Sequence, residues 1–230
     1  DIARAIGILL TDQALAGRLG ESARAVVVAH YDAHSLLKEE ASFVRAVSLA
    51  APPTRLFEDY AEAYPIDDVL PEFVARRLGE LARRGPRAVL DLGAGDGRYL
   101  GLFATLLSSA ALLVGCEISF RRARRIKAKG FRVVVAQSEA LPFKEGVFDL
   151  VTLIEVLEHT ESPGRSLDEA RRVLGSGGRL ALTTPNYPIK RLYDARAALR
   201  GRDLRRLKDD PTHLSPLSAR TLERLLASRF

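Results

Sequence analysis

The sequence predicts an α/β fold: one doubly wound parallel sheet, preceded by an N-terminal helical segment. Two observations predict the sheet. From residue 71 onward short apolar runs alternate with stretches patterned at helical spacing, and parallel strands need such crossover helices between them. The run Val89-Leu90-Asp91-Leu92 also passes directly into the turn Gly93-Ala-Gly95-Asp-Gly97 and then into a helical pattern, which is where open α/β sheets bind ligands. A length of 230 residues leaves room for one full domain plus a smaller piece. With 47% apolar and 28% charged residues, the chain falls outside the disordered, collagen-like and disulfide-rich classes.

The elements follow in order. Ile2, Ile6, Leu9 and Leu10 fall on one helical face, and Ser22 and Ser35 stand where N-caps would start two further helices. Adjacent prolines in Leu49-Ala-Ala-Pro-Pro-Thr54 disfavour helix, so residues 50–54 are read as a linker between a helical segment, 1–49, and a domain, 55–230. Pro71 to Arg84 reads as a helix that Gly85-Pro86 ends. Strands are expected at Ala88–Leu92, Leu112–Glu117, Arg132–Ala136, Phe148–Ile154 and Arg179–Thr184, with helices at Arg98–Leu107, Phe120–Lys129, Ser166–Leu174 and Ser215–Ser228.

Two features bear on location. The run Tyr99 to Cys116 is uncharged for 18 residues, long enough to raise a membrane span. Ser108-Ser109 interrupts it, and it parses better as a helix followed by a strand. The single cysteine, Cys116, can form neither an internal disulfide nor a thiolate zinc cluster, so a cytoplasmic protein with a core cysteine is expected. The net charge of +6 permits anionic partners without demanding them.

Spacing separates the chemistries that use glycine loops. A phosphate-gripping loop needs Gly-x4-Gly-Lys-Ser/Thr, which is absent. A dinucleotide fingerprint would place a small residue where Arg98 stands. What remains is Asp91-x-Gly93-x-Gly95-x-Gly97, with a carboxylate near the strand end.

On these residues the stretch Arg55 to Phe230 resembles class I S-adenosylmethionine-dependent methyltransferases, in particular the ubiquinone-biosynthesis-like group. The resemblance implies a Rossmann-like sheet, S-adenosylmethionine as cofactor, and methyl transfer to an oxygen or nitrogen acceptor. That cofactor has an ammonium, a sulfonium and no phosphate, which suits the acidic Asp91. The implied cofactor contacts are Asp91, Gly93, Gly95, Gly97, Glu117, Ile118, Gln137 and Ser138. Glu117 ends the second expected strand and would accept from the ribose hydroxyls. Gln137 stands where relatives usually carry Asp toward the adenine, and its carbonyl can still accept. Ser138 and Glu139 have a simpler alternative as a helix cap and a solvated acid.

After the fourth expected strand comes Glu155-Val-Leu-Glu158-His159, which would face the methyl acceptor. His159, His213 and Glu155 are the residues assigned to acceptor chemistry, with His159 as general base. Small-RNA 2′-O-methyltransferases resemble the chain in carrying Glu-x-x-Glu-His and a later His on a metal. Glu155, Glu158, His159 and His213 could supply that set, but no metal is assigned, and structural capping by Glu158 and His159 is the simpler alternative.

The segment from Asp1 to about Phe43 resembles the C-terminal tail of glycosyltransferases with two Rossmann-like domains, through Leu9-Leu10-x-Asp12, Leu15, Arg18-Leu19-Gly20, Ala23 and Tyr31. This favours a saccharide, glycolipid or cell-envelope acceptor and an upstream glycosyltransferase domain. The rival from another class is a non-catalytic binding domain within such an assembly. Lys190 to Lys208 carries eight basic residues against two acids, read mainly as a solvated helix, with peripheral membrane contact as the alternative and nucleic acid disfavoured. The chain starts at Asp1 and has no Met, so a fragment is expected. By resemblance it lacks the family's last two strands, which would leave strand five an exposed edge.

Overall fold

The computed structural model describes residues 53–63, 69–199 and 212–230. The helical segment 1–49, its glycosyltransferase-like pattern and the basic residues 200–208 lie outside the described residues.

The described elements are α1 (Pro53–Ala63), α2 (Glu72–Ala82), β1 (Ala88–Leu92), α3 (Arg98–Leu106), β2 (Leu112–Glu117), α4 (Phe120–Ala128), β3 (Arg132–Val135), β4 (Phe148–Ile154), α5 (Pro163–Val173), β5 (Leu174–Thr183), α6 (Tyr187–Leu199) and α7 (Ala219–Ala227). A short 3-10 turn spans Leu157–His159. All five strands are parallel, in the order β3-β2-β1-β4-β5, with β5 at one edge as expected. The chain winds from β1 outward to β3, then returns to the other side of β1. The crevice of such a sheet therefore opens beyond the carboxyl ends of β1 and β4.

Strands buried on both faces explain the continuous apolar runs. On β1, Leu90 and Leu92 join Val114, Val151, Leu153 and the α5 residues Leu167, Ala170 and Val173. Val89 turns to the opposite side with Leu78, Phe103 and Leu150. Phe143 and Phe148 meet edge to face, 5.2 Å between centroids, beneath α5. The uncharged Tyr99 to Cys116 run divides between α3 and β2. Among the described residues no helix is long and apolar enough to cross a membrane.

Several boundaries differ from the sequence expectation, α5 among them, which begins at Pro163 rather than Ser166. The described part of α1 runs from Pro53, so residues 53 and 54 of the expected linker are helical. Strand β5 begins at Leu174 rather than Arg179, because Leu174 pairs with Phe148 before the ladder slips and resumes at Arg179 opposite Leu150. Gly175, Gly177 and Gly178 occupy the slip, Gly177 at φ +72°. Helix α7 starts at Ala219, not Ser215, since Ser218 caps it by accepting from the Thr221 N–H at 3.1 Å. Ser215 instead ties the preceding segment to the site: its N–H donates to the Glu158 carbonyl at 2.9 Å and its hydroxyl to the Thr160 carbonyl at 2.7 Å.

Candidate functional site

Asp91 sits one residue before the end of β1, in register with Gly115 on β2 and Thr152 on β4. It is 1% exposed. The Thr152 hydroxyl donates to Oδ1 at 2.6 Å, while Oδ2 is buried with no hydrogen-bond partner. Burial pushes the carboxyl up to about 7, against the Thr152 bond and with help from the charge of Glu117. A buried carboxylate oxygen without a partner is costly unless a donor or cation arrives to meet it.

The glycine loop turns in front of this carboxylate. Gly93, Gly95 and Gly97 have φ of +65°, +57° and +85°, a conformation side chains disfavour. Gly93 is the tightest: a Cβ there would lie 2.5 Å from Val156 Cγ2, so the loops after β1 and β4 meet only because it has none. The loop is pinned to β2, since the Ala94 N–H donates to the Cys116 carbonyl at 3.0 Å.

Glu117, 6% exposed, is held by two backbone donors. The Gly95 N–H donates to Oε2 at 2.7 Å and the Ser119 N–H to Oε1 at 2.9 Å. Burial raises its pKa, and both amides oppose that rise. A carboxylate offers about four acceptor positions, so two remain for ligand hydroxyls. Ile118 is half-buried between Glu117 and Ser119. Gln137 is half-buried just past β3. The Ser138 hydroxyl lies 2.9 Å from Ser166 Oγ and donates to Glu139 Oε2 at 3.0 Å. The other oxygen of Glu139 accepts from the Glu161 and Ser162 N–H groups, at 3.1 and 3.4 Å, just ahead of α5. Glu139 is thus engaged at the start of that helix and is not merely a solvated acid.

At the end of β4 stands Glu155, with φ +55°, the one positive-φ non-glycine residue among the described residues. Its N–H donates to the Thr183 carbonyl at 3.0 Å, and the Thr183 hydroxyl donates to its Oε1 at 2.7 Å. These bonds to β5 hold the unfavourable turn. Glu158 is buried and accepts from the Thr184 hydroxyl at 2.9 Å. Its pKa is pushed up to about 7, chiefly by burial and then by the charge of Glu155. His159 Nδ1 lies 3.0 Å from the Thr212 carbonyl, which favours the proton on Nδ1 and leaves Nε2 basic. His213 Nδ1 is hydrogen-bonded to the Tyr187 hydroxyl.

The fold brings His159 and His213 together, 4.8 Å between ring centroids. Ligand atoms of Glu158, His159 and His213 lie within 4.8 Å of one another, and Glu155 is not among them. Sequence reasoning missed Thr152, Thr184 and Glu58 of α1, whose carboxylate meets the start of α4. Thr152 and Thr184 carry no pattern of their own; only the register of β4 and β5 identifies them.

Residues 60–229 match the pattern of the family described as "Methyltransferase domain". Malonyl-[acyl-carrier protein] O-methyltransferase of Methylococcus capsulatus is 36% identical over 103 residues, covering 43% of this chain and 38% of its own. Ubiquinone/menaquinone biosynthesis C-methyltransferase UbiE of Escherichia coli is 30% identical over 159 residues, covering 61% and 63% respectively. The chain therefore spans less than two thirds of the length of these curated relatives. The crystal structure of geranyl diphosphate C-methyltransferase from Streptomyces coelicolor A3(2), in complex with Mg2+, geranyl diphosphate and S-adenosyl-L-homocysteine, aligns with a TM-score of 0.57 at 15% identity. That alignment covers 78% of this chain and 79% of that one, and it bears on the fold alone.

Proposed function

Since the chain belongs to the methyltransferase-domain family, whose cofactor is S-adenosylmethionine, we propose that it methylates an oxygen or nitrogen of a saccharide, glycolipid or cell-envelope precursor. The observation that carries the cofactor site is the buried Asp91 Oδ2 without a partner. When bound, S-adenosylmethionine supplies a methyl group made electrophilic by its sulfonium. Asp91 would hold the cofactor's ammonium, Glu117 its ribose hydroxyls and Gln137 its adenine, while the glycine loop lets the backbone come close. His159 Nε2 would take the acceptor's proton, with His213 beside it and Glu155, next to Glu158, assigned to the same chemistry. The enzyme's main contribution is alignment of acceptor and methyl. The carrier-protein O-methyltransferase relative favours oxygen, and the saccharide reading rests on the pattern Leu9 to Tyr31 in the N-terminal segment.

Calorimetry with S-adenosylhomocysteine tests the cofactor site, and binding at micromolar concentration is expected. Transfer of a radiolabelled methyl group to nucleotide sugars and glycolipid extracts then tests the acceptor class. With an acceptor that is labelled, His159→Ala should slow single-turnover transfer by roughly 10²-fold or more, as loss of a general base does. Unchanged rates in both His159→Ala and His213→Ala would leave alignment as the whole mechanism.

One observation favours a second reading, in which Glu158, His159 and His213 hold a divalent ion that polarises the acceptor oxygen. Each of the three is steadied by an outer partner, Thr184, the Thr212 carbonyl or Tyr187. On this reading the EDTA-treated enzyme loses activity, Mn2+ restores it, and His213→Ala abolishes Mn2+ binding measured directly. Full activity in EDTA would overturn it.

A further inference from the structure

We propose that the cavity at the amino ends of β1, β4 and β5 binds a phosphate group, free or at the end of a monoester, an inference that does not depend on the cofactor reading above. The cavity has a volume of about 190 Å³, and Arg84, Arg87, Asp149, Ser176, Gly177 and Arg179 are among its walls. It lies far from the acceptor chemistry. Asp149 is near the start of β4 and Glu155 just past its end, roughly 20 Å apart at about 3.3 Å per residue. Pockets that bury a drug-sized ligand whole measure about 300–1,000 Å³, so this one takes a single headgroup and leaves the rest of a larger ligand in solvent.

Chain breaks and strand register together gather the charges. Arg84 and Arg87 flank the Gly85-Pro86 break between α2 and β1, and Arg179 stands where β5 resumes pairing, opposite Leu150. From Leu174 to Arg179 β5 takes five steps while β4 takes two, Phe148 to Leu150, so residues 175–178 are surplus to the ladder and loop out as one wall. Three guanidiniums against one carboxylate leave an excess of two positive charges around the cavity, which matches a phosphate dianion. Among the described residues none of these three guanidiniums forms an ion pair or a hydrogen bond, whereas Arg125, Arg172 and Arg229 each reach a carboxylate. The acceptors near them are already engaged. Asp149 Oδ2 accepts from the Arg87 and Ala88 N–H groups at 2.8 and 3.1 Å, which fixes the backbone that carries Arg87. The last α2 carbonyls, at Leu81 and Ala82, accept from the Arg84 and Gly85 N–H groups at 3.1 and 2.9 Å. Guanidiniums present paired donors that fit a phosphate's oxygens, and the Ser176 hydroxyl adds another donor. A bound phosphate then joins the turn before β1 to the edge strand β5 and stabilises the fold by mass action.

The test is calorimetry of the whole chain with inorganic phosphate at low ionic strength, above about pH 7, where phosphate is mostly a dianion. Saturable binding is expected, with a Tm that rises as phosphate is added. Arg84→Gln, Arg87→Gln and Arg179→Gln should each weaken it about 10-fold or more, the scale of one lost charge-assisted bond. Ser176→Asp should abolish it by placing a second carboxylate at the cavity. All of these side chains are exposed, so urea midpoints without phosphate should match the wild type and a lost affinity is not a lost fold. Arg220→Gln removes the same charge from the exposed surface of α7 and should leave binding unchanged. An equal loss there would reduce the effect to general attraction by a basic chain and overturn the site. Phenyl phosphate that displaces phosphate supports the end of a monoester as the ligand, and phosphate that it cannot displace supports the free ion. A wild-type chain without saturable phosphate binding, or binding untouched by all three arginine variants, overturns the proposal.

Discussion

Replacing Asp91 by Asn should abolish cofactor binding and, at the same time, stabilise the empty chain. Asn keeps an oxygen for the Thr152 hydroxyl but cannot pair with an ammonium. Losing one partner of a buried charge pair costs about 3–5 kcal/mol, which converts to roughly 10²- to 10⁴-fold in affinity. The stability effect follows from the carboxyl's raised pKa. A carboxyl whose pKa rises from 3.8 to about 7 on folding favours the folded state fully below pH 3.8, and that advantage is lost as pH rises through 7. The wild-type chain therefore carries a penalty on the order of 4 kcal/mol by pH 8, less at pH 5, that a non-ionising Asn escapes. Urea melts at pH 5 and pH 8 check the sign: the variant's gain should be larger at pH 8. Equal gains would mean that Asp91 does not titrate in this range. For the wild type, cofactor affinity should weaken below pH 7, approaching 10-fold per unit as protons compete for the carboxylate.

Gly93→Ala should be among the most destabilising single-methyl changes in the chain. Two penalties combine there. A left-handed φ costs a side chain about 1–2 kcal/mol, and a Cβ 2.5 Å from Val156 Cγ2 forces a shift inside the core, worth about 1–3 kcal/mol. Gly85→Ala supplies the control, because its φ of +67° is similar while no atom lies within 4 Å of the added methyl. The difference between the two denaturation midpoints isolates the clash. Val156→Ala should recover part of the Gly93→Ala loss, and strictly additive losses would exclude a direct contact.

How much was legible depended on how local the cause was. Strands β1, β2 and β4 fell where expected because buried parallel strands are short apolar runs bounded by turns, and α3 followed because the glycine loop can lead only into a helix start. The beginning of β5 was not legible: Leu174 and Gly175 continue the pattern of a helix end, and only pairing with Phe148 makes the former a strand residue. The role of Glu139 was missed for a similar reason, since its partners at Glu161 and Ser162 lie beyond β4.

The sequence by itself determined the α/β class, the glycine loop and the acidic residues around it, because their causes act within a few neighbouring residues: a strand end, a left-handed turn, a helix start. Only the tertiary structure decided that one oxygen of Asp91 is left without a partner, that Glu117 is clamped by Gly95 and Ser119, that His159 meets His213 across more than fifty residues, and that Glu58 of α1 meets the start of α4. Those facts depend on strand register and on which segments share the sheet's carboxyl edge. Both are fixed by burying apolar faces over the whole domain, and no stretch of the chain encodes them alone.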